Sequence, residues 1–486
     1  MPKTPFLPGF SYLAGSRKIA TAGQAVRSWT LSKLEQHFAD ILPSALLLPA
    51  SPGGPRRRKR VYPHVRTFWC FLWQCLTPQT ACRHVVRQVQ ALFKLSGGPS
   101  ISSEDGAYCR ARLRLCPQVL WTALQATAQA LQRLAPGSQL LGGRCLKVID
   151  GSSVSAPDSV KNRKAYPKIQ STYDGLGFPM MRIVVLFCLA SGAIVSVLTG
   201  NLLTSELSLF YQMMPQLKVG DIILGDRGFG NFVVVGLLQQ FKIDFIGRSL
   251  RKVDGRRRLR RLGHNDWLVQ WKRTTNPSSI LSPDQWAEFP KQLTVRIVRG
   301  SLGRKGFRIR QVTLVTTLLD PQLYPAQEIL QAYLRRWRLE MCFDDLKTTM
   351  GMEMLRCQSP AMLQKELLMY LIAHNLIRLV IIQAAQTHRV SVERISFKGS
   401  IDALRQFTQA ICQAPTKRKR RLLWQELLRA LAEDLLPERP GRREPRAIKR
   451  IKHKYPRLNC SRHKFKDHPK RHLRRKRARL RRLALK

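Results

Sequence analysis

Five short apolar runs in the middle of this 486-residue chain constrain its fold more than any other feature. Each has the length of a buried strand, and together they occupy residues 146–150, 182–189, 193–199, 221–226 and 243–247. Helical patterns at 205–214 and 231–240 separate the last three runs. Three strands followed by helix, strand, helix and strand predict an α/β fold, with a mixed sheet and helices packed on its faces.

The most apolar stretch, residues 183–199, is interrupted by Ser191 and Gly192. We therefore expect two strands around a tight turn there, and no membrane span. The first residues lack the apolar core of a signal peptide, and the 11 cysteines are scattered without a C-x-x-C pair. These features predict a protein of the reducing cytoplasm, without a zinc ribbon or a disulfide framework.

Net charge indicates the partner. Lys and Arg number 84 against 30 Asp and Glu, which gives a net charge of +54. A chain this basic repels itself unless a polyanion is near, and neutralising phosphates releases counterions. Double-stranded DNA is the predicted partner and the nucleoid the predicted location. An anionic membrane surface is the weaker alternative, because no basic amphipathic anchor stands out.

The N-terminal region, residues 1–140, has helical patterns at 32–48, 67–95 and 103–134. Two serines and two acidic residues at 102–105 predict a helix cap that matches the helix dipole. Arg110, Arg112 and Arg114 follow along the same helix. We interpret this part as a helical DNA-binding region; the alternative is a simple basic surface.

The chain after residue 140 divides into three parts. We predict a catalytic domain over residues 141–400, in which 248–320 form a β-rich insertion and an apolar helix covers 362–385. Helices are expected at 401–438. Residues 439–486 hold 22 Lys and Arg against Glu444 and Asp467, a composition that predicts a disordered basic tail.

Two of the strand runs end in an aspartate followed within two residues by glycine: Asp150-Gly151 and Asp226-Arg227-Gly228. Either aspartate alone is more often a turn former. Together with Glu340 on a facing helix they predict three converging carboxylates, which repel each other unless a cation compensates. Oxygen ligands favour Mg²⁺, for which Mn²⁺ substitutes, and two such ions clamp both oxygens of a phosphoryl transfer.

Glu340 lies within a helical pattern that also carries Tyr333, Arg336 and Lys347. At 100° per residue these four fall in one stripe about 60° wide. The stripe is either a solvated charged face or a set of donors that hold DNA phosphates beside the reacting one. Trp337 edges the stripe, where it is either partly buried or free to stack on an unpaired base.

Asp344 is the closest rival to Glu340 as the third acidic residue, because it falls only about 40° away on the same helical wheel.

The spacing Tyr333-x2-Arg336-x3-Glu340-x6-Lys347 resembles the Y-R-E-K signature of DDE transposases of the insertion-sequence-four family. The two aspartate motifs are similar to that family's first and second carboxylate motifs. Three further segments look like segments of family members: A-Y-C-R-A-R-L-R-L, residues 347–360 and His374-Asn375-Leu376-Ile377-Arg378. The resemblance covers about residues 100–385.

This resemblance implies an RNase H-like catalytic core with a β-rich insertion, flanked by helical regions. It implies that Asp150, Asp226 and Glu340 are the catalytic residues and the metal ligands, and that Tyr333, Arg336, Trp337 and Lys347 bind DNA. A cut-and-paste reaction with a hairpin intermediate follows, on terminal inverted repeats and target DNA, by a homodimer in the synaptic complex. A second base-stacking tryptophan is implied in the insertion, where no motif selects among Trp267, Trp271 and Trp286.

Two other functions fit parts of the pattern. A metal-dependent nuclease on the same fold would use the same carboxylates but would never join strands. A non-catalytic nucleic-acid binder would need the charge alone. The donor stripe on the Glu340 helix favours the transposase, because plain hydrolysis needs no elaborate hold on one DNA end.

Overall fold

The structure is a computed structural model of the chain. It describes residues 38–49, 60–77, 80–95, 100–135, 137, 140–167, 177–249, 258–278, 280–302, 310–414 and 416–437. The predicted basic tail and most of the predicted linker at 51–60 lie outside these residues.

A mixed sheet of nine strands organises the described chain, in the order β3-β2-β1-β4-β5-β9-β8-β7-β6. The strands are β1 Leu146–Ser155, β2 Met180–Cys188, β3 Ile194–Asn201, β4 Ile222–Gly225, β5 Asp244–Arg248, β6 Arg258–Gly263, β7 Asp266–Lys272, β8 Gln292–Leu302 and β9 Arg310–Thr316. All five predicted strands are therefore present, and the 183–199 stretch forms β2 and β3 around a turn with Gly192 at φ +74°.

Strand directions define the fold class. β2 runs antiparallel to β1 and β3, whereas β4 and β5 run parallel to β1. An order of 3-2-1-4-5 with only the second strand reversed is the arrangement of RNase H-like proteins. Neighbouring residues of the strands face opposite sides: Val148 packs into the larger core and Ile149 into the smaller one. Both faces are covered, as the continuous apolar runs predict.

Helices cover both faces of the sheet and build the regions around it. They are α1 His64–Leu76, α2 Cys82–Leu95, α3 Gly106–Arg114, α4 Pro117–Arg133, α5 Val160–Ala165, α6 Glu206–Met213, α7 Phe232–Gln240, α8 Pro283–Glu288, α9 Ala326–Leu334, α10 Arg338–Asp344, α11 Pro360–His388, α12 Phe397–Gln413 and α13 Lys417–Glu433. Side-chain caps begin α6 and α7, where Ser205 and Asn231 accept hydrogen bonds from the backbone N–H groups of Ser208 and Val234.

Three N-terminal expectations need correction. Residues 38–49 form turns rather than a helix, because Pro43 lacks an N–H donor and restricts the residue before it. The 103–134 pattern is two helices, since Pro117 starts a new one after Cys116. The expected cap at residues 102–105 is also absent: Asp105 is the N-cap of α3, and its side chain makes no capping hydrogen bond.

The strands after β5 continue the same sheet. β9 pairs with β5, and β8, β7 and β6 follow it outward. Arg296 of β8, fully buried, locks this extension to the chain that leads into α9. Its guanidinium pairs with both carboxylate oxygens of Asp266 at 2.9 and 2.6 Å. It also donates to the carbonyl oxygens of Leu318, Asp320 and Tyr324, so a buried cation has all its partners.

The longest helix, α11, is the centre of the larger core. It packs against α1, α4 and α13. It is also the one described helix long and apolar enough to cross a membrane, yet 89% of its most apolar window is buried inside the protein. Its composition is that of a core helix.

Candidate active site

Asp150 lies within β1, and Asp226 directly follows the last residue of β4, the parallel neighbour of β1. The register of β1 and β4 runs from Leu146 opposite Ile222 to Val148 opposite Leu224. Asp150 and Asp226 each lie two residues further along, so continuing the register places them side by side. Val148 and Leu224 both face the larger core, and side chains two residues on face the same way. Both carboxylates are therefore aimed at the face where α10 packs.

One expectation about Asp150 needs correction. β1 does not end there: it continues to Ser155 in antiparallel pairing with β2, and only its parallel partner ends. The side chain therefore extends from a strand held on one side, at an edge opened by the end of β4. This geometry fixes the carboxylate more firmly than the predicted strand-end turn would.

Backbone hydrogen bonds orient both aspartates, and burial changes the pKa of Asp150. The backbone N–H of Gly151 donates to Asp150 Oδ1 at 2.9 Å, and that of Gly228 donates to Asp226 Oδ1 at 2.7 Å. Burial raises the pKa of Asp150 to about 6, and the nearby charges of Asp226 and Glu206 act in the same direction. A cation at the site would stabilise the ionised form of this carboxylate.

The segment that carries Glu340 is not the uniform α-helix that the wheel assumed. α9 ends at Leu334, residues Arg335–Trp337 form a 3₁₀ turn, α10 follows, and Asp345–Thr349 form a π-helical turn. Leu339, Cys342 and Leu346 are buried, so the segment still packs one apolar face against the core. The irregular turns change the direction of side chains that a constant 100° step would align.

Arg336 lies between two of the predicted acidic residues. Its Nη1 is 3.6 Å from Asp150 Oδ2, and its Nη2 is 3.4 Å from Glu340 Oε1. The same guanidinium lies over the ring of Tyr333, 5.9 Å from the centroid. A protein cation therefore lies between Asp150 and Glu340 in this structure. Within the described residues, no three His, Cys, Asp or Glu side chains approach closely enough to hold a metal ion.

The remaining predicted residues differ in exposure. Tyr333 is buried, and its hydroxyl has no hydrogen-bond partner in the described structure. Trp337 is 55% exposed, which leaves a ring face open to a nucleobase. Lys347 is half-buried in the π-helical turn, and burial lowers the pKa of its ammonium group. Asp344, near the end of α10, is exposed and accepts a hydrogen bond from the Thr348 hydroxyl at 2.7 Å.

Glu206 is an acidic residue that the sequence reasoning missed. It is the first residue of α6, and its carboxyl group packs on the Gly151 backbone. A Cβ placed on Gly151 would lie 2.2 Å from Glu206 Cδ, so only glycine allows this approach. The available signal was an acidic residue directly after the helix cap that follows β3.

The tryptophans of the β extension and one arginine of α3 do not face solvent as expected. Trp267, Trp271 and Trp286 are each at most 8% exposed, so none presents an open face in this conformation. The guanidinium of Arg112 lies over the rings of Phe71 and Tyr108 and contributes little basic surface. Arg110 and Arg114 are exposed as predicted.

The segment after the π-helical turn returns to the strand that carries Asp150. The Ser155 N–H donates to the Glu353 carbonyl, and the Leu355 N–H donates to the Ser155 carbonyl, both at 2.9 Å. This short parallel bridge attaches the C-terminal side of the Glu340 segment to the end of β1.

The donor chemistry of the site fits a divalent cation. Asp150, Asp226, Glu340 and Glu206 offer only carboxylate oxygens, which are the ligands of hard cations such as Mg²⁺. Burial and the charges of Asp226 and Glu206 raise the pKa of Asp150, and a bound cation would oppose these effects. DDE transposases as a family generally use divalent metal ions.

The strand order is RNase H-like, and comparisons with known proteins point to one class of enzyme, the DNA transposases. Residues 141–376 match the family model for the transposase DDE domain. The chain is 26% identical over 418 residues to the transposase InsG for insertion sequence element IS4 of Escherichia coli (strain K12), covering 84% of this chain and 90% of that protein. The chain is therefore similar to DDE transposases over residues 141–376 and to a transposase of insertion sequence element IS4 over most of its length. Among solved structures, a piggyBac transposase synaptic complex with hairpin DNA aligns over 86% of each chain, with 11% identity and a TM-score of 0.38.

Proposed function

We propose that this transposase excises its element by a cut-and-paste route with a hairpin intermediate and joins the freed ends to target DNA. A nick at the element's end frees a 3′-OH, which attacks the opposite strand; the hairpin is reopened, and the 3′-OH attacks target DNA. The observation that carries the proposal is that Asp226 follows the end of β4, beside the parallel strand that carries Asp150, while Arg336 contacts both Asp150 and Glu340.

Asp150, Asp226 and Glu340 are the catalytic residues in this proposal and would hold two Mg²⁺ ions, for which Mn²⁺ would substitute. Glu206 packs on Gly151 from the face of β1 opposite the Asp150 side chain, and its charge acts on the pKa of Asp150. Bound divalent cations would stabilise charge on the attacking and leaving oxygens of the reacting phosphate. The backbone N–H groups of Gly151 and Gly228 fix the orientation of the two aspartates before any ligand arrives.

The side chains around Glu340 hold the DNA end. Arg336 is anchored by Asp150 and Glu340 and offers its remaining donors to a phosphate. Tyr333 brings an unpaired hydroxyl to the same place, and Lys347 contributes a point charge. Trp337, with its ring exposed, stacks on a base displaced from the duplex. We place terminal inverted repeats and target DNA on this face, bound by a homodimer in the synaptic complex.

Asp226→Asn tests the assignment, because it keeps the shape of the side chain and removes its charge. Purified variant and wild type are incubated with labelled DNA carrying the element's end and with Mg²⁺, and the products are separated on a denaturing gel. We expect wild type to give nicks, hairpins and joined products, and the variant to bind DNA as tightly but to cut none. Asp284→Asn, on an exposed turn of α8, is the matched control and should retain activity.

The products also separate the proposal from its rivals. Nicks without hairpin or joined strands would identify a nuclease on the same fold. DNA binding without any cleavage by the wild type would reduce the chain to a DNA binder. Full cleavage by Asp226→Asn would overturn the catalytic assignment.

A further inference from the structure

A pair of thiols lies outside the active site, between the start of α2 and the middle of α3. Cys82 is the first residue of α2, and Cys109 lies in α3. Both are partly exposed free cysteines. Nη2 of Arg112 is 3.0 Å from Cys82 Sγ and 3.7 Å from Cys109 Sγ, so one guanidinium nitrogen contacts both sulfurs.

The surroundings of Cys82 favour its thiolate. Besides Arg112, the Gln74 side-chain amide donates to Cys82 Sγ at 3.7 Å, and the sulfur lies at the positive end of the α2 dipole. The hydrogen bond from Cys109 and the charge of Arg112 lower the pKa of Cys82 to about 6. The same thiol–thiol hydrogen bond raises the pKa of Cys109, which keeps it as the protonated donor.

The geometry points to a modification site: we propose that Cys82 is a peroxide-reactive thiolate and that Cys109 is its resolving thiol. A partly exposed thiolate beside an arginine, with a second thiol in contact, is the arrangement of oxidation-sensitive cysteines. Arg112 repels a soft metal cation, so metal binding is the less suitable use of these sulfurs. Neither cysteine is part of the proposed transposition chemistry.

The reaction with hydrogen peroxide is balanced. The Cys82 thiolate attacks one peroxide oxygen, the O–O bond breaks, and a sulfenic acid and a hydroxide form; the hydroxide takes up a proton from solvent and becomes the first water. The Cys109 thiol then attacks the Cys82 sulfur, the S–O bond breaks, and a second water leaves. Two thiols are oxidised to one disulfide while one peroxide is reduced to two waters, and α2 becomes covalently attached to α3.

The first test measures alkylation of the reduced full-length protein by iodoacetamide, with each cysteine quantified by peptide mass spectrometry across pH 5 to 9, a working range set about the pKa of a free thiol. Cys116, which is also partly exposed and precedes the first turn of α4, is the internal control. We expect Cys82 to react at least about tenfold faster than Cys116 at the acidic end. Equal rates would overturn the proposal.

Variants of Arg112 test the cause of the reactivity. Arg112→Gln should move the midpoint of Cys82 alkylation to higher pH, whereas Arg112→Lys should retain much of the acidic midpoint. Should Arg112→Gln fail to fold, Arg112→Lys and the wild-type profile still decide the question. An unchanged midpoint in a folded Arg112→Gln would contradict the role given to the guanidinium.

The second test treats the full-length protein with hydrogen peroxide and maps disulfides without reduction. We expect one Cys82–Cys109 disulfide, and in Cys109→Ser a sulfenic acid on Cys82 that dimedone traps. A disulfide pattern that omits Cys82, or no dimedone adduct in Cys109→Ser, would refute the site. DNA cleavage by Cys82→Ser should match wild type, which keeps this test independent of the proposed function.

Discussion

Nη1 of Arg336, in the 3₁₀ turn between α9 and α10, lies 3.6 Å from Oδ2 of Asp150 in β1 of the sheet. The guanidinium also reaches Glu340, so the positive charge of this residue compensates two carboxylates in the protein without DNA. The same charge opposes a divalent cation at the carboxylates, and it matches a phosphate that arrives with one. Arg336 thus couples the acidic residues to the DNA backbone.

Arg336→Gln should separate these two effects. Removing a charge within 4 Å of the carboxylates should strengthen Mn²⁺ binding to the DNA-free protein by at least about tenfold. Cleavage of end-sequence DNA should fall, because a phosphate contact is lost. Mn²⁺ titration followed by electron paramagnetic resonance measures the first effect. Arg338→Gln, whose guanidinium contacts Glu393 instead, is the control, and weaker Mn²⁺ binding in Arg336→Gln would contradict the interpretation.

Gly151→Ala should displace Glu206, because the new methyl group would lie 2.2 Å from its Cδ. A shift of about 1 Å in a side chain beside Asp150 should lower the cleavage rate by about 100-fold with little change in DNA affinity. Single-turnover cleavage and a binding titration measure the two quantities. Gly263→Ala, where a Cβ meets nothing within 4 Å, should behave as wild type. Equal rates for both variants would show that Glu206 has no role at the site.

Arg296→Leu should destabilise the protein more than most surface changes. It leaves the Asp266 carboxylate and three carbonyl oxygens without their buried donor, at a cost of about 3–5 kcal/mol in the free energy of unfolding. Urea denaturation measures this. The double variant with Asp266→Leu should recover part of the loss, since the unpaired buried charge is gone, and no recovery would contradict that explanation.

His374 should make stability depend on pH. Burial in α11, reinforced by the charge of Arg378, lowers the pKa of His374 to about 3 from 6.5. As the pH falls below about 6.5, the unfolded chain therefore takes up the proton first, and stability decreases toward about pH 3. Between pH 7.5 and 5, wild type should lose about 2 kcal/mol more than His374→Gln in urea denaturation. Parallel losses would indicate that the imidazole is protonated in the folded protein.

Deleting residues 439–486 removes 22 Lys and Arg. Non-specific DNA affinity should decrease, and its dependence on salt should become shallower, because fewer counterions are released. Filter binding at several salt concentrations gives the slope of log affinity against log salt. A slope equal to that of the full-length chain would exclude a phosphate-binding role for these residues.

The strands and the two aspartates were predictable because a buried strand leaves a continuous apolar run and the acids follow at its open edge. The position of Asp226 relative to Asp150 was not predictable, since the parallel register of β1 and β4 depends on how the two strands associate. The Glu340 segment was predicted as one regular helix, because hydrophobic periodicity does not reveal the 3₁₀ and π-helical turns. The positions of Glu206 and Arg112 could not be predicted, because both depend on tertiary contacts. Glu206 packs on Gly151, and the Arg112 guanidinium lies over two aromatic rings.

The bridge of Ser155 to Glu353 and Leu355 has a mechanical consequence. The covalent path that leaves β1 after Asp150 and later passes Glu340 is fastened back to the strand from which it departed. Moving Glu340 away from Asp150 by a backbone shift would therefore break these two hydrogen bonds. Opening the site to a DNA end in this way would cost free energy. Rotation of the Arg336 side chain costs less, because it breaks no backbone hydrogen bond. Access to the carboxylates is then controlled by one flexible guanidinium on a rigid backbone.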